Sequence, residues 1–238
     1  MLWLAAMALA GWLVLAATGF WLCSERDDRV LARDPQVWPE VVAVVPARDE
    51  ADVIARSVAS LVAQDYPGPF RIVLVDDNSS DGTGDVARAL GAERVTVIAG
   101  APLADGWTGK LWAVQQGIAA AGSPRYLWLT DADIAHAPDT LRRLVGIATA
   151  GDRKLVSLMV HLHCQTWAER ALVPAFVWFF MMLYPFNWIN RPGRVSGAAG
   201  GCVLVEAEAL AAAGGIAAIR NALIDDCTLG ALIKRRGR

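Results

Sequence analysis

Apolar residues fall along this chain in blocks of two kinds. Residues 2–23 (LWLAAMALAGWLVLAATGFWLC) form one uncharged run, about the ~20 residues that a helix needs to cross a bilayer core. Trp3 and Trp21 stand near its ends, where interfacial aromatic residues are enriched. With nothing basic ahead of it, the run reads as a transmembrane anchor over 1–23 rather than a cleaved leader. Residues 24–40 mix charges with Pro35 and Pro39 and read as a linker. From there on the pattern changes. Residues 41–45 are a continuous apolar, β-branched run, as in a strand buried on both faces. Residues 50–63 place Val53, Ile54, Val58, Leu61 and Val62 at helical spacing. Strands are then expected at 71–75, 94–98 and 126–130, and helices at 80–90, 110–121 and 138–150. Alternation in steps of ~25 residues argues for right-handed βαβ units and an α/β domain with a mostly parallel sheet flanked by helices, filling 41–238.

Composition and charge narrow the picture. Twenty-two Lys+Arg against 24 Asp+Glu give a net charge of −2, so no nucleic-acid partner held by bulk charge is expected. Hydrophobic residues at 55% exclude a disordered chain and, being high for a soluble domain, point to membrane contact. Arg26, Arg29 and Arg33 follow the apolar run, and the positive-inside rule then puts the rest of the chain on the cytoplasmic side of an inner membrane. Cys23, Cys164, Cys202 and Cys227 have no C-x-x-C spacing and read as reduced thiols.

Ligands of a parallel sheet bind beyond the carboxyl ends of its strands, and three of the expected strands end in polar clusters. These are Pro46-Ala47-Arg48-Asp49-Glu50, the run from Asp76-Asp77-Asn78 to Thr83, and Asp131-Ala132-Asp133. In a parallel sheet they meet on one edge. Gathered carboxylates repel one another unless a cation or hydrogen-bond donors compensate. Hard oxygen ligands suit Mg²⁺ or Mn²⁺, ions that bridge to substrate phosphates. Any one cluster could instead cap a helix, and Asp81 fits a cap best. Asp76, Asp131 and Asp133 together fit a functional site better.

These residues carry a family resemblance. The stretch from Val44 to Glu50, the run from Val75 to Thr83, Gly109-Lys110 opening a helix, the D-x-D at Asp131–Asp133, Gly200-Gly201-Cys202 and Asp225-Asp226-Cys227-Thr228-Leu229-Gly230 occur in order. Together they resemble family 2 inverting glycosyltransferases of GT-A fold, over roughly 41–236. The stretch Trp107–Ala113 and the apolar segments are most similar to the hopene-associated glycosyltransferases of hopanoid biosynthesis. The resemblance implies that Pro46, Ala47, Arg48 and Glu50 line the nucleotide, with Arg48 stacking through its guanidinium. Asp76 would bond the base and Asp77 support the same pocket. Lys110 would contact the diphosphate, Asp131 the ribose or metal, and Asp133 the metal. Gly200, Gly201, Cys202 and Asp225 would form the acceptor side, and Asp226 would be the base that inversion requires. Asp225 and Asp226 could also simply open a helix.

Residues 171–190, within a segment expected over 166–190, are uncharged. Pro174 and Pro185 interrupt them, and one crossing here would put Asp133 and Asp226 on opposite sides of the membrane. An interfacial helix is therefore expected. His161 and His163 would share one strand face, and His136 could reach the metal. The chain lacks the Q-x-x-R-W motif of many relatives and their C-terminal membrane helices, which suggests a truncated domain. The implied function is transfer of a sugar from a nucleotide-sugar, taken as a UDP-sugar, to a lipid acceptor such as a hopanoid. The alternatives are a polysaccharide-chain synthase and a membrane nucleotide-sugar binding protein without turnover. A nucleotidyltransferase is disfavoured, since no G-x-G-T-R loop follows the first strand.

Overall fold

The computed structural model describes residues 2–18, 25–27, 29, 33–90 and 93–236. It divides into two units, 31–160 with 196–238, and 1–30 with 161–195.

The first unit is an α/β domain. Its chain order is β1 (Val41–Ala47), α2 (Ala51–Val62), β2 (Phe70–Asp76), α3 (Thr83–Leu90), β3 (Val95–Ala99), α4 (Gly109–Ala120), β4 (Tyr126–Thr130), α5 (Thr140–Ala150), β5 (Leu155–Ser157), β6 (Cys202–Glu206), α8 (Ala207–Ala212), a 3₁₀ turn (Ile216–Ile219) and α9 (Asp225–Arg236). The six strands lie in the order β3-β2-β1-β4-β6-β5. β1 pairs in parallel with β2 and β4, and β2 with β3. β6 runs antiparallel to both β4 and β5.

β1 explains why its sequence reads as an unbroken apolar run. Val41, Ala43 and Val45 join the core under α2, α3 and α5, whereas Val42 and Val44 join the core under α4, α8 and α9. Strands covered on both faces lose the apolar–polar alternation of half-exposed ones. α4 lies so close to the sheet that a Cβ at Gly117 would overlap Val44. That contact aims the first turn of α4 at the carboxyl ends of β1 and β4.

Three expectations change here. No strand follows Ser157 before residue 202 among the described residues, so His161 and His163 do not share a strand face. Cys202, expected as part of a glycine turn, instead opens the fully buried strand β6, which the sequence pattern does not predict. Its CVLVE sequence has the composition of a core strand, but no βαβ unit leads into it, and the period of the preceding units gave no cue. Residues 33–40 are not free of the domain either. Trp38 packs edge-on to Tyr66 at 5.2 Å, and Asp34 pairs with Arg142 at 2.5 Å.

The second unit holds α1 (Leu2–Ala17), α6 (Trp167–Leu183) and α7 (Phe186–Ile189). α1 is 16 residues, about 24 Å at 1.5 Å per residue. The rest of the expected anchor, residues 19–23, lies outside the described residues. α6 opens on a capping box, in which the Thr166 hydroxyl and the Glu169 carboxylate each accept the other residue's backbone N–H. It continues through Pro174, contrary to the expected interruption, and ends just before Pro185. A single proline removes one backbone bond and kinks a long helix without always ending it. Leu172, Phe176, Phe179 and Leu183 form an exposed stripe at i, i+4, i+7 and i+11, and no residue of α6 is buried. Trp167–Ile189, 23 residues, is long and apolar enough to cross a membrane by length and composition.

Candidate active site

The carboxyl ends of β1, β2 and β4 open onto a cleft of about 410 Å³. Pro46, Ala47, Arg48 and Glu50 line it from β1 and the loop beyond, and Asp77 from the end of β2. Gly109, Lys110 and Ala113 line it from α4, and Asp131, Ala132 and Asp133 from the end of β4. A narrower cavity of about 30 Å³ adjoins it, sharing Pro46, Lys110 and Asp131 and adding Gly200, Asp225 and Asp226.

The loops after β1 and β2 are laced together. The Ser80 amide donates to Asp49 Oδ1 at 2.7 Å, and the Glu50 amide donates to Thr83 Oγ1 at 2.8 Å. Asp81 does more than cap the helix after it. One oxygen accepts the Thr83 amide and hydroxyl, and the other accepts the Ala51 amide, so it ties the first turns of α2 and α3 together. Asp49 takes a left-handed conformation, φ 54°, which Asp tolerates better than most residues. This lacing holds the backbone that presents Arg48 and Glu50.

Asp76 and Asp77 face different ways. Asp77 Oδ2 lies in the cleft, 3.6 Å from Arg48 Nη1. Asp76 accepts the Ser79 amide at 3.1 Å, and its carboxylate sits so close to Gly84 that a side chain there would overlap it. Asp76 is therefore built into the loop wall, while Asp77 meets the cleft.

Lys110 is the hinge of the site. Its Nζ lies 2.7 Å from Asp131 Oδ1 and 3.4 Å from Asp225 Oδ2. Burial alone would pull the ammonium pKa down, but the two carboxylates outweigh it and the net shift is upward. Asp131 is shifted up by burial first; Lys110 opposes this, and Asp133 and Asp225 reinforce it. Glu50 is shifted up by burial and then by the charges of Asp133, Asp81 and Asp131. The cleft thus holds more carboxylate than its cations neutralise. Thr108 gives α4 no side-chain cap, so the first amides of α4, whose residues 109 and 110 line the cleft, keep their capacity to bind an anion.

Asp226 opens α9 beside Asp225. Its Oδ2 accepts the Gly200 amide at 2.9 Å and its Oδ1 accepts the Cys227 amide at 2.6 Å. α9 approaches this turn closely, since a Cβ at Gly230 would lie 2.7 Å from the Gly197 carbonyl carbon. Gly201 and Cys202 line neither cavity. The Cys202 thiol is buried against Trp128 Nε1, and burial pushes its pKa to about 11. His136 is a half-buried group packed beside the core, and it does not line the cleft. Its ring packs on Trp128 at 4.5 Å, its Nε2 lies 2.8 Å from Thr130 Oγ1, and burial pulls its pKa to about 4.

Among the described residues no three His, Cys, Asp or Glu side chains converge on one point. Asp131 and Asp133 can offer a cation carboxylate oxygens from one turn. That fits Mg²⁺ or Mn²⁺, which takes one or two carboxylates and completes its shell with phosphate and water. Ile216 and Ile219, which wall the narrower cavity, belong to no motif. Only the Gly214-Gly215 pair before them, both with positive φ, hints at a turn.

Residues 42–214 match the family described as Glycosyl transferase family 2. The chain is 35% identical over 117 residues to the Succinoglycan biosynthesis protein ExoO of Rhizobium meliloti (strain 1021), covering 49% of this chain and 32% of that protein. It is 36% identical over 92 residues to a 4,4'-diaponeurosporenoate glycosyltransferase of Staphylococcus aureus (strain MRSA252), covering 38% of this chain and 23% of that protein. The chain thus matches less than a third of the length of either relative. Among solved structures it resembles the mannosyltransferase PcManGT from Pyrobaculum calidifontis in complex with GDP-Man and Mn2+, with a TM-score of 0.60 and 24% identity. That likeness covers 89% of this chain and 56% of the other. It also resembles the glucosyl-3-phosphoglycerate synthase of Mycobacterium tuberculosis in complex with phosphoglyceric acid, with a TM-score of 0.52 and 22% identity, over 82% of this chain and 68% of the other. At these identities the likeness is one of fold.

Proposed function

The chain belongs to glycosyl transferase family 2, and we propose that it moves a sugar, with inversion, from a nucleotide-sugar to a lipid acceptor at the cytoplasmic face of a membrane. The observation that carries this is the Lys110 bridge. By joining Asp131 at 2.7 Å and Asp225 at 3.4 Å it brings the D-x-D strand end and the acidic start of α9 to one point. A donor site and a base on the far side of the sugar need this closeness.

In this reading the base and ribose lie between Arg48, Asp77 and Glu50. The diphosphate faces the first turn of α4 and the Lys110 ammonium, which exchanges a carboxylate for a phosphate oxygen when the donor arrives. Asp131 and Asp133 hold the Mg²⁺ or Mn²⁺, which when bound supplies Lewis-acid stabilisation to the departing nucleoside diphosphate. Asp226, oriented by the Gly200 amide, takes the proton of the acceptor hydroxyl as that oxygen attacks the anomeric carbon. UDP is the donor nucleotide we favour.

The exposed stripe of α6 supports a lipid acceptor. The chain leaves the α/β domain after Val160 and returns at Ser196, so any crossing made by 161–195 must be made an even number of times. An interfacial α6, with α1 as a membrane anchor, meets that condition and would bring a hopanoid or other polyprenoid hydroxyl to the site. The relative named for 4,4'-diaponeurosporenoate fits this reading. The relative named for succinoglycan biosynthesis favours a second one, extension of a polysaccharide. Membranes holding the chain, given labelled UDP-sugars or GDP-sugars with Mn²⁺, separate the two. Label in solvent-extractable lipid supports the first, label in aqueous polymer the second, and neither above an Asp226→Asn control contradicts both.

A further inference from the structure

Gly200 and Gly201 stand between the candidate base and the D-x-D strand, and two successive glycines have no side chain to fix their conformation. The turn is pinned from outside instead. At one end the Gly200 amide donates to Asp226 Oδ2 at 2.9 Å, and the Ala199 amide donates to Ser157 Oγ at 3.2 Å. At the other end the Gly201 carbonyl accepts the Thr130 hydroxyl at 2.8 Å. Thr130 is 1% exposed and has a single hydroxyl proton, already given to Gly201. The 2.8 Å contact with His136 Nε2 must therefore run the other way, with Nε2–H donating to Thr130 Oγ1. His136 is itself held, its amide donating to Ser60 Oγ at 3.0 Å and its ring packed on Trp128 at 4.5 Å.

We infer that Thr130 and His136 are positioning residues, which fix the Gly200–Gly201 turn and through it the carboxylate of Asp226. The inference rests on the proposed role of Asp226 as base. The Ser60 hydroxyl donates to the Ser57 carbonyl at 2.7 Å, so each side-chain donor in the chain Ser60, His136, Thr130 is matched to an acceptor, and the chain connects α2, the loop after the D-x-D, β4 and the start of β6. Removing the central hydroxyl releases the Gly201 carbonyl and leaves that side of the turn anchored only from residue 202 onward, by the pairing of Cys202 with Thr130 and the Leu158 amide on the Cys202 carbonyl at 3.0 Å. Neither residue lines the donor cleft of Arg48, Asp77, Lys110, Asp131 and Asp133, whereas Thr130 lines the narrower cavity beside Gly200 and Asp226, so the effect is expected on transfer rather than on donor affinity.

The test uses the full chain in detergent, with Thr130→Val, which keeps shape and loses the hydroxyl, and Thr130→Ser, which keeps the hydroxyl. Hydrogen exchange is followed across residues 199–202, with binding of UDP plus Mn²⁺ and the rate of sugar transfer. Thr130→Val is expected to speed exchange at 199–202 by about tenfold or more, with β1 and β2 unchanged. Transfer kcat should fall about tenfold, with the donor KM and the UDP affinity within about twofold of wild type. Thr130→Ser should restore both. His136→Gln, which keeps a donor, should resemble Thr130→Ser, and His136→Phe, which keeps the Thr130 hydroxyl but removes the group that orients it, should speed exchange at 199–202 by less than Thr130→Val does. Wild-type protection of 199–202 in Thr130→Val would overturn the inference, as would equal loss in Thr130→Ser. If the wild-type chain transfers no sugar, the proposed activity fails on its own, and the exchange arm still decides the positioning role.

Discussion

Lys110 Nζ lies 2.7 Å from Asp131 Oδ1, with Asp225 Oδ2 at 3.4 Å on its other side. One ammonium group thus spans the end of β4 and the start of α9. The pair is partly exposed, 43% for Lys110 and 35% for Asp131, so its worth to folding is small, under about 1 kcal/mol. Lys110→Met should therefore leave the melting temperature nearly unchanged. It should weaken nucleoside diphosphate binding about tenfold or more, the cost of one charge-assisted hydrogen bond. Calorimetric titration with UDP, beside a melting curve, checks both halves.

Asp226→Asn keeps an oxygen to accept the Gly200 amide but cannot take a proton. The variant should fold and bind UDP with Mn²⁺ as the wild type does, and should lose about 10²–10⁴ in transfer rate. Single-turnover transfer from a labelled donor is the measurement.

Gly230 and Gly197 set how closely α9 approaches the acceptor-side turn. A Cβ at residue 230 would lie 2.7 Å from Gly197 C and 2.8 Å from its oxygen. Backbone cannot yield as a flexible side chain can, so Gly230→Ala should cost about 1–3 kcal/mol of stability. It should also displace Asp226, lowering transfer more than UDP affinity. Urea denaturation and the two assays together read this out.

His136 gives the fold a pH dependence of definite sign. Burial pulls its pKa to about 4 from an ordinary value of 6.5, so the unfolded chain takes up a proton that the folded ring refuses. The stability from the neutral ring is complete above pH 6.5 and is lost as pH falls towards 4. The loss should amount to about 2 kcal/mol, less than the full shift implies because the residue is partly exposed. Glu50 and Asp131, both shifted up, act in the opposite sense in acid. The measure is therefore the difference between wild type and His136→Gln in denaturation between pH 7 and pH 4.5.

Much of this was legible in the sequence, for a physical reason. Strands covered on both faces announce themselves as apolar runs, and 126–130 is matched to the residue. The strand-end clusters at Pro46, Asp77 and Asp131 do meet, because a parallel sheet puts successive carboxyl ends on one edge. Long-range pairing was not legible. Thr130 meets Gly201 across 71 residues, and no local pattern marks either as a partner. His136 reads from its spacing as a group near the metal, yet the ring turns into the core beside Trp128. Which of Asp76 and Asp77 faces the cleft depends on where the strand ends and the loop turns, a matter of one residue. Pro174 reads as a break, but the helix runs on through it.

The most direct test of the site is binding of UDP and of GDP to the purified chain, with and without Mn²⁺, beside Asp133→Ala. A nucleotide at ~100 times its dissociation constant should add ~2.7 kcal/mol of stability. The site described here calls for a shift that needs both the nucleotide and the metal and is lost in Asp133→Ala. A folded chain that shows no metal-dependent shift with either nucleotide would contradict it.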